Sequence, residues 1–131
     1  MPRYHRRTAP DATAPDGIEI RNLVDEQQGA RRLSVAEGVL KSGQRSAKVY
    51  HMVYEEIWYF LRGSGVFHLH APGAAEEETI PVGPGDAVLV SPLHGFWAEN
   101  TGDEDLAFLL CGSPPWGKGQ EVQPWPSDAG A

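Results

Sequence analysis

One short stretch of the sequence places an imidazole and a carboxylate near each other. His51 and Glu56 lie in residues 43–63, a segment rich in Val, Ile, Tyr, Trp and Phe and bounded by glycines. This composition predicts two strands with a bend at residues 54–55. An imidazole and a carboxylate on a half-buried sheet surface can exchange protons with a ligand, and both groups can also bind a metal ion.

The neighbours of this pair are mostly apolar, which favours acid–base chemistry. A desolvated carboxylate can donate or accept a proton near neutral pH, and histidine titrates in the same range. Such a pair can carry the proton transfers of an isomerisation, an elimination or a ring closure without a redox metal. We expect a pocket lined by five further side chains: Val49, Trp58, Phe60, His94 and Phe96.

The elements that must hold this pocket are short strands separated by Gly- and Pro-rich turns. No window has apolar residues at helical spacing over a useful length, so the pattern is typical of an all-β sandwich or barrel. Besides the strands around His51, we predict strands at residues 18–24, 32–40, 66–70, 79–82, 87–90, 96–99 and 106–110.

The length of 131 residues is that of a single domain. We expect the β-barrel to occupy residues 18–113, preceded by a flexible tail at 1–17 that is either disordered or draped over the body. Residues 114–131 are rich in Pro and Gly and form a second tail. Its Trp116 and Trp125 are expected to pack against the body or a partner subunit.

Composition excludes several classes of function. The net charge of −7 and the pI of about 5.1 argue against a nucleic-acid partner. No apolar run reaches the roughly 18 residues of a membrane helix, so we expect no membrane partner and a cytoplasmic location. Cys111 stands alone in the apolar context FLLCG, which predicts a buried core thiol.

Two stretches resemble the two motifs of the cupin superfamily, a group of small β-barrels related to jelly rolls. The first is GQRSAKVYHMVYEEIWYFLRG at residues 43–63. The second is PVGPGDAVLVSPLHGFWAENTGDE at residues 81–104, where the Gly-Asp pair, Pro92 and the Asn-Thr-Gly turn fall at the positions that cupins use. The resemblance covers residues 32–113 and implies an all-β, cupin-type jelly-roll β-barrel in a single domain.

The departures from the cupin pattern bear on metal binding. A typical metal-binding cupin presents two histidines and a glutamate in the first motif and one histidine in the second. His51 and Glu56 match two of these four ligands, whereas Val49 and Phe96 occupy the other two positions. Because tight binding normally takes about three protein ligands, we expect no metal cofactor. The alternative is Fe, Mn, Ni or Zn bound by His51, Glu56 and His94.

Two further histidines share one face of the strand at residues 66–70. Phe67 and Leu69 alternate with His68 and His70, which favours apolar side chains facing the core and histidines on the surface. The sequence does not decide between the inner and the outer face, so both histidines remain open as additional ligands.

The sequence thus predicts a small cupin that binds an apolar organic molecule. We expect His51 and Glu56 to convert it by metal-independent acid–base chemistry of the isomerase, lyase or cyclase type. Its Ala-, Gly-, Pro- and Arg-rich composition resembles that of high-GC bacteria and favours specialised metabolism. The alternatives are a metal-dependent oxygenase or isomerase and a non-catalytic binding or regulatory cupin. We expect a homodimer, paired through the strand at residues 18–24.

Overall fold

Eleven β-strands account for most of the regular structure in residues 2–13, 17–116 and 122–126, the parts of the chain that the computed structural model describes. They are β1 Ala12–Thr13, β2 Glu19–Val24, β3 Ser34–Leu40, β4 Val49–Tyr50, β5 Glu55–Arg62, β6 Gly65–His70, β7 Glu78–Val82, β8 Ala87–Val90, β9 Gly95–Asn100, β10 Leu106–Ser113 and β11 Gln123–Pro124. A six-stranded sheet has the order β1-β2-β3-β10-β5-β8, and a five-stranded sheet has the order β11-β4-β9-β6-β7. This architecture confirms the prediction of an all-β jelly roll.

Strand β5 illustrates how the sequence sets the two faces of the larger sheet. Its side chains alternate between exposed and buried along most of its length, as expected for a strand with one face on the core. Glu56, Trp58 and Phe60 point inward, and β5 is paired with β10 on one side and with β8 on the other. The strand that carries Glu56 therefore has a neighbour along both edges.

The hydrophobic core lies between the two sheets and is dominated by aromatic rings. Trp58 stacks on Phe108 with ring centroids 4.4 Å apart, and Phe60, Phe67 and Phe108 are fully buried. Each such side chain contributes about 1.5–3 kcal/mol of burial free energy. The remaining core residues are mostly aliphatic and come from both sheets.

One predicted element needs correction. The sequence around His51 was expected to be a strand, but β4 ends at Tyr50 and His51 lies in the connection to β5. The His51 carbonyl accepts a hydrogen bond from the Leu93 N–H at 2.7 Å. This bond ties the connection to the turn before β9 and replaces a sheet ladder at this position.

The N-terminal segment is draped over the barrel in its described part. Arg21 donates a hydrogen bond to the Thr8 carbonyl at 2.7 Å, and Asp11 accepts one from the Asn22 N–H at 2.8 Å. Residues 12–13 then form β1, which pairs with β2 at residues 19–20. This two-residue strand occupies part of the outer edge of β2, and the pairing of two chains through residues 18–24 stays a prediction.

The C-terminal segment also packs on the barrel, as its tryptophans predicted. Strand β11 pairs with β4, and the Trp125 ring lies edge-on to Tyr50 with centroids 5.9 Å apart. Gly95 permits this contact, because a Cβ there would lie 2.5 Å from the Trp125 ring. The described part of residues 114–131 is therefore integral to the domain.

Helical structure is confined to one short turn within the described ranges. A 3-10 turn spans Glu26–Gln28, and its Asp25 cap accepts a hydrogen bond from the Gln27 N–H. None of the described residues belongs to a helix that is long and apolar enough to cross a membrane.

The packing of the core predicts that a substitution of Gly38 in β3 destabilises the protein. A Cβ at Gly38 would lie 2.2 Å from the Phe108 ring, which is fully buried. We expect Gly38→Ala to lower the free energy of unfolding by about 1–3 kcal/mol, because overpacking forces the ring or the backbone to move. Urea denaturation measures this change.

Gly83→Ala is the matched control, since a Cβ there meets only the Gly63 carbonyl oxygen at 3.9 Å. Its free energy of unfolding should stay within about 0.5 kcal/mol of the wild type. Equal stability of the two variants would contradict the packing described for Gly38.

Candidate functional site

A pocket of about 510 Å³ opens between the two sheets, at the end where β2, β3 and β4 lie. Its walls come from both sheets and from the segments that flank the barrel, including β1, Trp116 and Pro124. Most of its lining side chains are aliphatic or aromatic. The polar groups in this wall therefore have an apolar environment, in which their electrostatic interactions with a ligand are strong.

Glu56 is one of two buried carboxylates in this wall, the other being Asp25. Glu56 is 7% exposed, and its Oε1 accepts a hydrogen bond from the Trp58 indole Nε1 at 2.7 Å. The two side chains meet because residues two apart on a strand share a face. The second oxygen, Oε2, makes no hydrogen bond with the described residues and is free to bond a ligand.

His51 lies directly beside this carboxylate. Its Nε2 is 3.7 Å from Glu56 Oε1, and the residue is 3% exposed. Its ring is enclosed by those of Phe96, Tyr54 and Trp116, at centroid distances of 5.3, 5.0 and 5.8 Å. Its Nδ1 is a buried side-chain atom without a hydrogen-bond partner among the described residues. The fold thus brings the two predicted residues together and leaves a polar atom of the pair unsatisfied.

Tyr54 is a third polar group at this site, and the sequence analysis did not select it. Its hydroxyl lies 3.2 Å from Ser34 Oγ, which accepts a hydrogen bond from the Trp116 N–H at 2.8 Å. Burial raises the pKa of Tyr54 to about 12, the bond with Ser34 opposes this rise, and the negative charge of Glu56 adds to it. The phenol is therefore protonated at neutral pH. The sequence feature that could have identified Tyr54 is its position two residues before Glu56.

Three of the five predicted pocket residues line the pocket, namely Val49, Trp58 and Phe96. Val49 and Phe96 are register partners across β4 and β9. The two apolar residues that stand at metal-ligand positions of the cupin motifs therefore lie in the same region. Phe60 does not line the pocket. It lies two residues after Trp58 on β5 and is fully buried in the core. His94 does not line it either, since it sits in the turn before β9 with its Nδ1 3.2 Å from the Pro92 carbonyl oxygen.

The donor set does not fit a first-row metal ion. Across residues 2–13, 17–116 and 122–126, no group of three or more His, Cys, Asp or Glu side chains is arranged to hold one. His51 and Glu56 supply two donors, and Val49 and Phe96 fill the positions where further ligands would stand.

His68 and His70 lie on the outer face of β6, as the alternation favoured. Phe67 is fully buried in the core, whereas His68 stacks on Trp97 at 3.8 Å between the carboxylates of Glu77 and Glu99. His68 is nevertheless only 8% exposed, because these neighbours cover it. It belongs to a surface network and is remote from the pocket.

Glu77 is the centre of that network. Partial burial favours its protonated form, but hydrogen bonds from Lys48 and Trp97 outweigh this and hold the pKa of Glu77 below its usual value. The Lys48 Nζ lies 3.0 Å from the carboxylate and 2.7 Å from His70 Nδ1. These contacts attach the loop before β7 to the sheet.

Comparison with known proteins first identifies relatives by sequence. The chain is 31% identical over 103 residues to protein MJ1618 of Methanocaldococcus jannaschii, whose function is uncharacterized, and the match covers 77% of both chains. A shorter match, 43% identical over 54 residues, is to a glucose-6-phosphate isomerase of Thermococcus kodakarensis. It covers 41% of this chain and 28% of that enzyme. No protein-family model matches the chain.

Solved structures resemble the whole barrel. CapF, a capsular polysaccharide assembling protein of Staphylococcus aureus, superposes with a TM-score of 0.76 at 14% identity, over 95% of this chain and 34% of CapF. The polyketide cyclase RemF of Streptomyces resistomycificus has a TM-score of 0.64 at 20% identity, over 95% and 82% of the two chains. The protein tm1287 of Thermotoga maritima, a predicted oxalate decarboxylase, has a TM-score of 0.63 at 26% identity, over 85% and 91%.

The fold, the two sequence motifs and these relatives agree. The jelly-roll topology carries Glu56 on an inward-facing strand and His51 beside it, at the positions where the cupin motifs place them. The chain belongs to the cupin superfamily.

Proposed function

We propose that the protein is an enzyme that binds a flat, uncharged, largely apolar organic molecule and transfers a proton on it with Glu56 and His51. The observation that carries this proposal is the pair itself, with Nε2 and Oε1 3.7 Å apart and both residues more than nine-tenths buried in the wall of an apolar pocket. Burial of two ionisable groups is costly unless they are fully paired, and groups buried at such a cost are concentrated at functional sites.

The pocket lining supports an uncharged ligand. Lining residues in the described ranges include the carboxylates of Glu56 and Asp25 but no Lys or Arg, so a phosphate or carboxylate would lack a partner there. This argues against a sugar phosphate such as the substrate of the isomerase from Thermococcus. Phe96 and Trp116 line the pocket and favour a flat, apolar ligand. RemF, which has a similar fold, is a polyketide cyclase.

A ketone with a neighbouring C–H group suits the arrangement of the two side chains. Glu56 Oε2 takes the proton, the C–H bond breaks, and its electron pair moves to the carbonyl oxygen to give an enolate. An N–H at His51 Nδ1, an atom without a partner among the described residues, would donate a hydrogen bond to that oxygen and stabilise its negative charge. Return of the proton from Glu56 to a different carbon gives isomerisation. In ring closure the enolate carbon attacks a second carbonyl, a C–C bond forms, the C=O π electrons move to its oxygen, and the proton held by Glu56 passes to that alkoxide.

Tyr54 and Ser34 support this chemistry without taking part in the proton transfer. The chain from the Trp116 N–H through Ser34 to the Tyr54 hydroxyl fixes the rings that enclose His51. A neutral phenol beside Glu56 adds no second negative charge to the pocket.

Glu56→Gln tests the catalytic role. The probe is 1-tetralone, a flat bicyclic ketone. Proton NMR would follow the exchange of its C2 protons for deuterium in D₂O. The wild type should accelerate exchange, and Glu56→Gln should lose at least about 100-fold of this acceleration, because an amide cannot accept the proton.

Glu78→Gln is the control, since Glu78 is exposed at the start of β7 and outside the pocket. It should retain wild-type exchange. Binding of 1-tetralone, measured by saturation-transfer NMR, must persist in Glu56→Gln. Binding with no exchange in the wild type would sink the catalytic proposal and favour a binding module.

Metal retention tests the metal-independent part of the proposal. Protein purified without chelator is incubated with Fe(II), Mn(II), Ni(II) or Zn(II), desalted and analysed for metal. Two donors bind weakly, so retention should be far below one ion per chain. Near-stoichiometric retention that disappears in His51→Ala would contradict this and restore the metal-dependent alternative.

The raised pKa of Tyr54 predicts its alkaline titration. Because the folded-state pKa of about 12 exceeds the ordinary value of 10.0, the contribution of Tyr54 to stability is complete below pH 10 and is lost as the pH rises toward 12. The absorbance at 295 nm, read directly after a pH jump, should differ between wild type and Tyr54→Phe by a step centred near pH 12. A difference step centred near pH 10 would show that the phenol is hydrated.

A further inference from the structure

A β-bulge near the end of β2 turns two polar side chains into the pocket. Before the bulge, Ile18, Ile20 and Asn22 line the pocket at the spacing of two that an extended strand requires. The register with β3 then shifts between Asn22 and Val24, where β2 carries one extra residue. Because this shift reverses the parity of the strand, the extended residue Asp25 also lines the pocket.

Asp25 is a buried carboxylate without a cation beside it in the pocket wall. It is 8% exposed, and the pocket lining in the described ranges includes no Lys or Arg that could pair with it. Its Oδ1 accepts a hydrogen bond from the Gln27 N–H at 2.8 Å, and its backbone N–H donates to Gln28 Oε1 at 2.9 Å. The short turn thus holds the carboxylate in place. A carboxylate has about four acceptor positions, so this capping role leaves capacity for a ligand.

Asn22 supplies an amide to the same wall of the pocket. Its backbone N–H is bonded to Asp11 Oδ2 at 2.8 Å, whereas its side chain makes no hydrogen bond with the residues that the structure describes. Asn22 is exposed, and its register partner on β3 is Ala36, which also lines the pocket and is small. The amide can therefore both donate and accept a hydrogen bond in the pocket.

We propose that Asn22 and Asp25 form a subsite for a hydroxyl group, so that the substrate is a flat ketone that carries a hydroxyl. A hydroxyl can donate to the Asp25 carboxylate and accept from the Asn22 amide at the same time. An ammonium group would have no acceptor for the amide N–H, and an ether would have no donor for the carboxylate. This subsite rests on the proposed function, because the pocket around Glu56 and His51 is taken as the substrate site.

The place of the subsite in the sheet sets the position of the hydroxyl on the ligand. Four pocket residues are successive register partners across β2, β3, β10 and β5, namely Asn22, Ala36, Leu110 and Trp58. Three strand spacings of about 4.8 Å place the two ends of this row roughly 14 Å apart along the sheet. Cys111, predicted as a core thiol, is half-buried and does not line the pocket. Because Trp58 bonds the carboxylate that takes the proton, the hydroxyl belongs at the end of the ligand remote from the reacting ketone.

The affinities of three related ketones test the subsite separately from catalysis. Isothermal titration calorimetry of the full chain compares 6-hydroxy-1-tetralone with 1-tetralone and with 6-methoxy-1-tetralone, which keeps the oxygen but cannot donate. The wild type should bind the hydroxy ketone at least about 10-fold more tightly than the methoxy ketone, because a hydrogen bond to a carboxylate is among the stronger ones. A cationic analogue, 6-(aminomethyl)-1-tetralone, should bind more weakly than the hydroxy ketone.

Three variants assign this preference to the two side chains. Asp25→Asn keeps a good cap residue and removes the carboxylate, and Asn22→Leu removes the amide without touching the cap. Each should lower the preference for the hydroxy ketone to about 3-fold or less. Glu26→Gln is the matched control, since Glu26 is the next residue of the turn, is exposed and does not line the pocket. It should retain the wild-type preference.

The outcomes separate this subsite from the proposed catalysis. Equal affinities of the wild type for the hydroxy and methoxy ketones would overturn the subsite, and so would a preference that both Asp25→Asn and Asn22→Leu leave intact. Tighter binding of the aminomethyl ketone than of the hydroxy ketone would replace the hydroxyl by an amine. A preference that depends on Asn22 and Asp25, found together with no exchange of the C2 protons, would support the subsite and reject only the catalytic role of Glu56.

Discussion

The hydrogen bond from Trp58 to Glu56 connects the chemistry of the pocket to the packing of the core. A carboxylate in an apolar wall needs a donor, and the indole Nε1 supplies one at 2.7 Å. The same indole stacks on Phe108 at 4.4 Å and lies edge-on to Phe67 at 5.0 Å. The orientation of Glu56 is therefore set by rings that belong to the core, and a change in the core would be felt at the site.

The imidazole is held in a different way. His51 is positioned by its backbone bond to Leu93 and by the three rings around it. The surrounding rings set the plane of the imidazole but do not hydrogen-bond its nitrogens. Nδ1 has no partner in the part of the chain that the structure describes, and Nε2 is 3.7 Å from the carboxylate. The carboxylate is thus held by a hydrogen bond within the protein, whereas the imidazole can still form hydrogen bonds to a ligand.

Much of this arrangement could be predicted from the sequence because alternation on a strand is a local property. The inward placement of Glu56 and Trp58 follows from their spacing, and the glycine turns locate the strands to within a few residues. The pocket walls depend on long-range contacts that spacing does not encode. Trp116 reaches His51 from a segment that reads as a tail, and Phe60 shares the parity of Trp58 but faces the centre of the barrel.

The flanking segments give the domain two parts with different tolerance to change. Trp58, Phe67 and Phe108 interlock in the barrel, where Gly38 leaves no room for even one methyl group. Residues 12–13, Trp116 and Pro124 touch the pocket from short peripheral strands and connections. Substitutions in these segments alter the shape offered to a ligand without repacking the barrel. Ligand preference in this domain is therefore open to evolution and to engineering from its periphery, while the barrel interior, His51 and Glu56 stay the same.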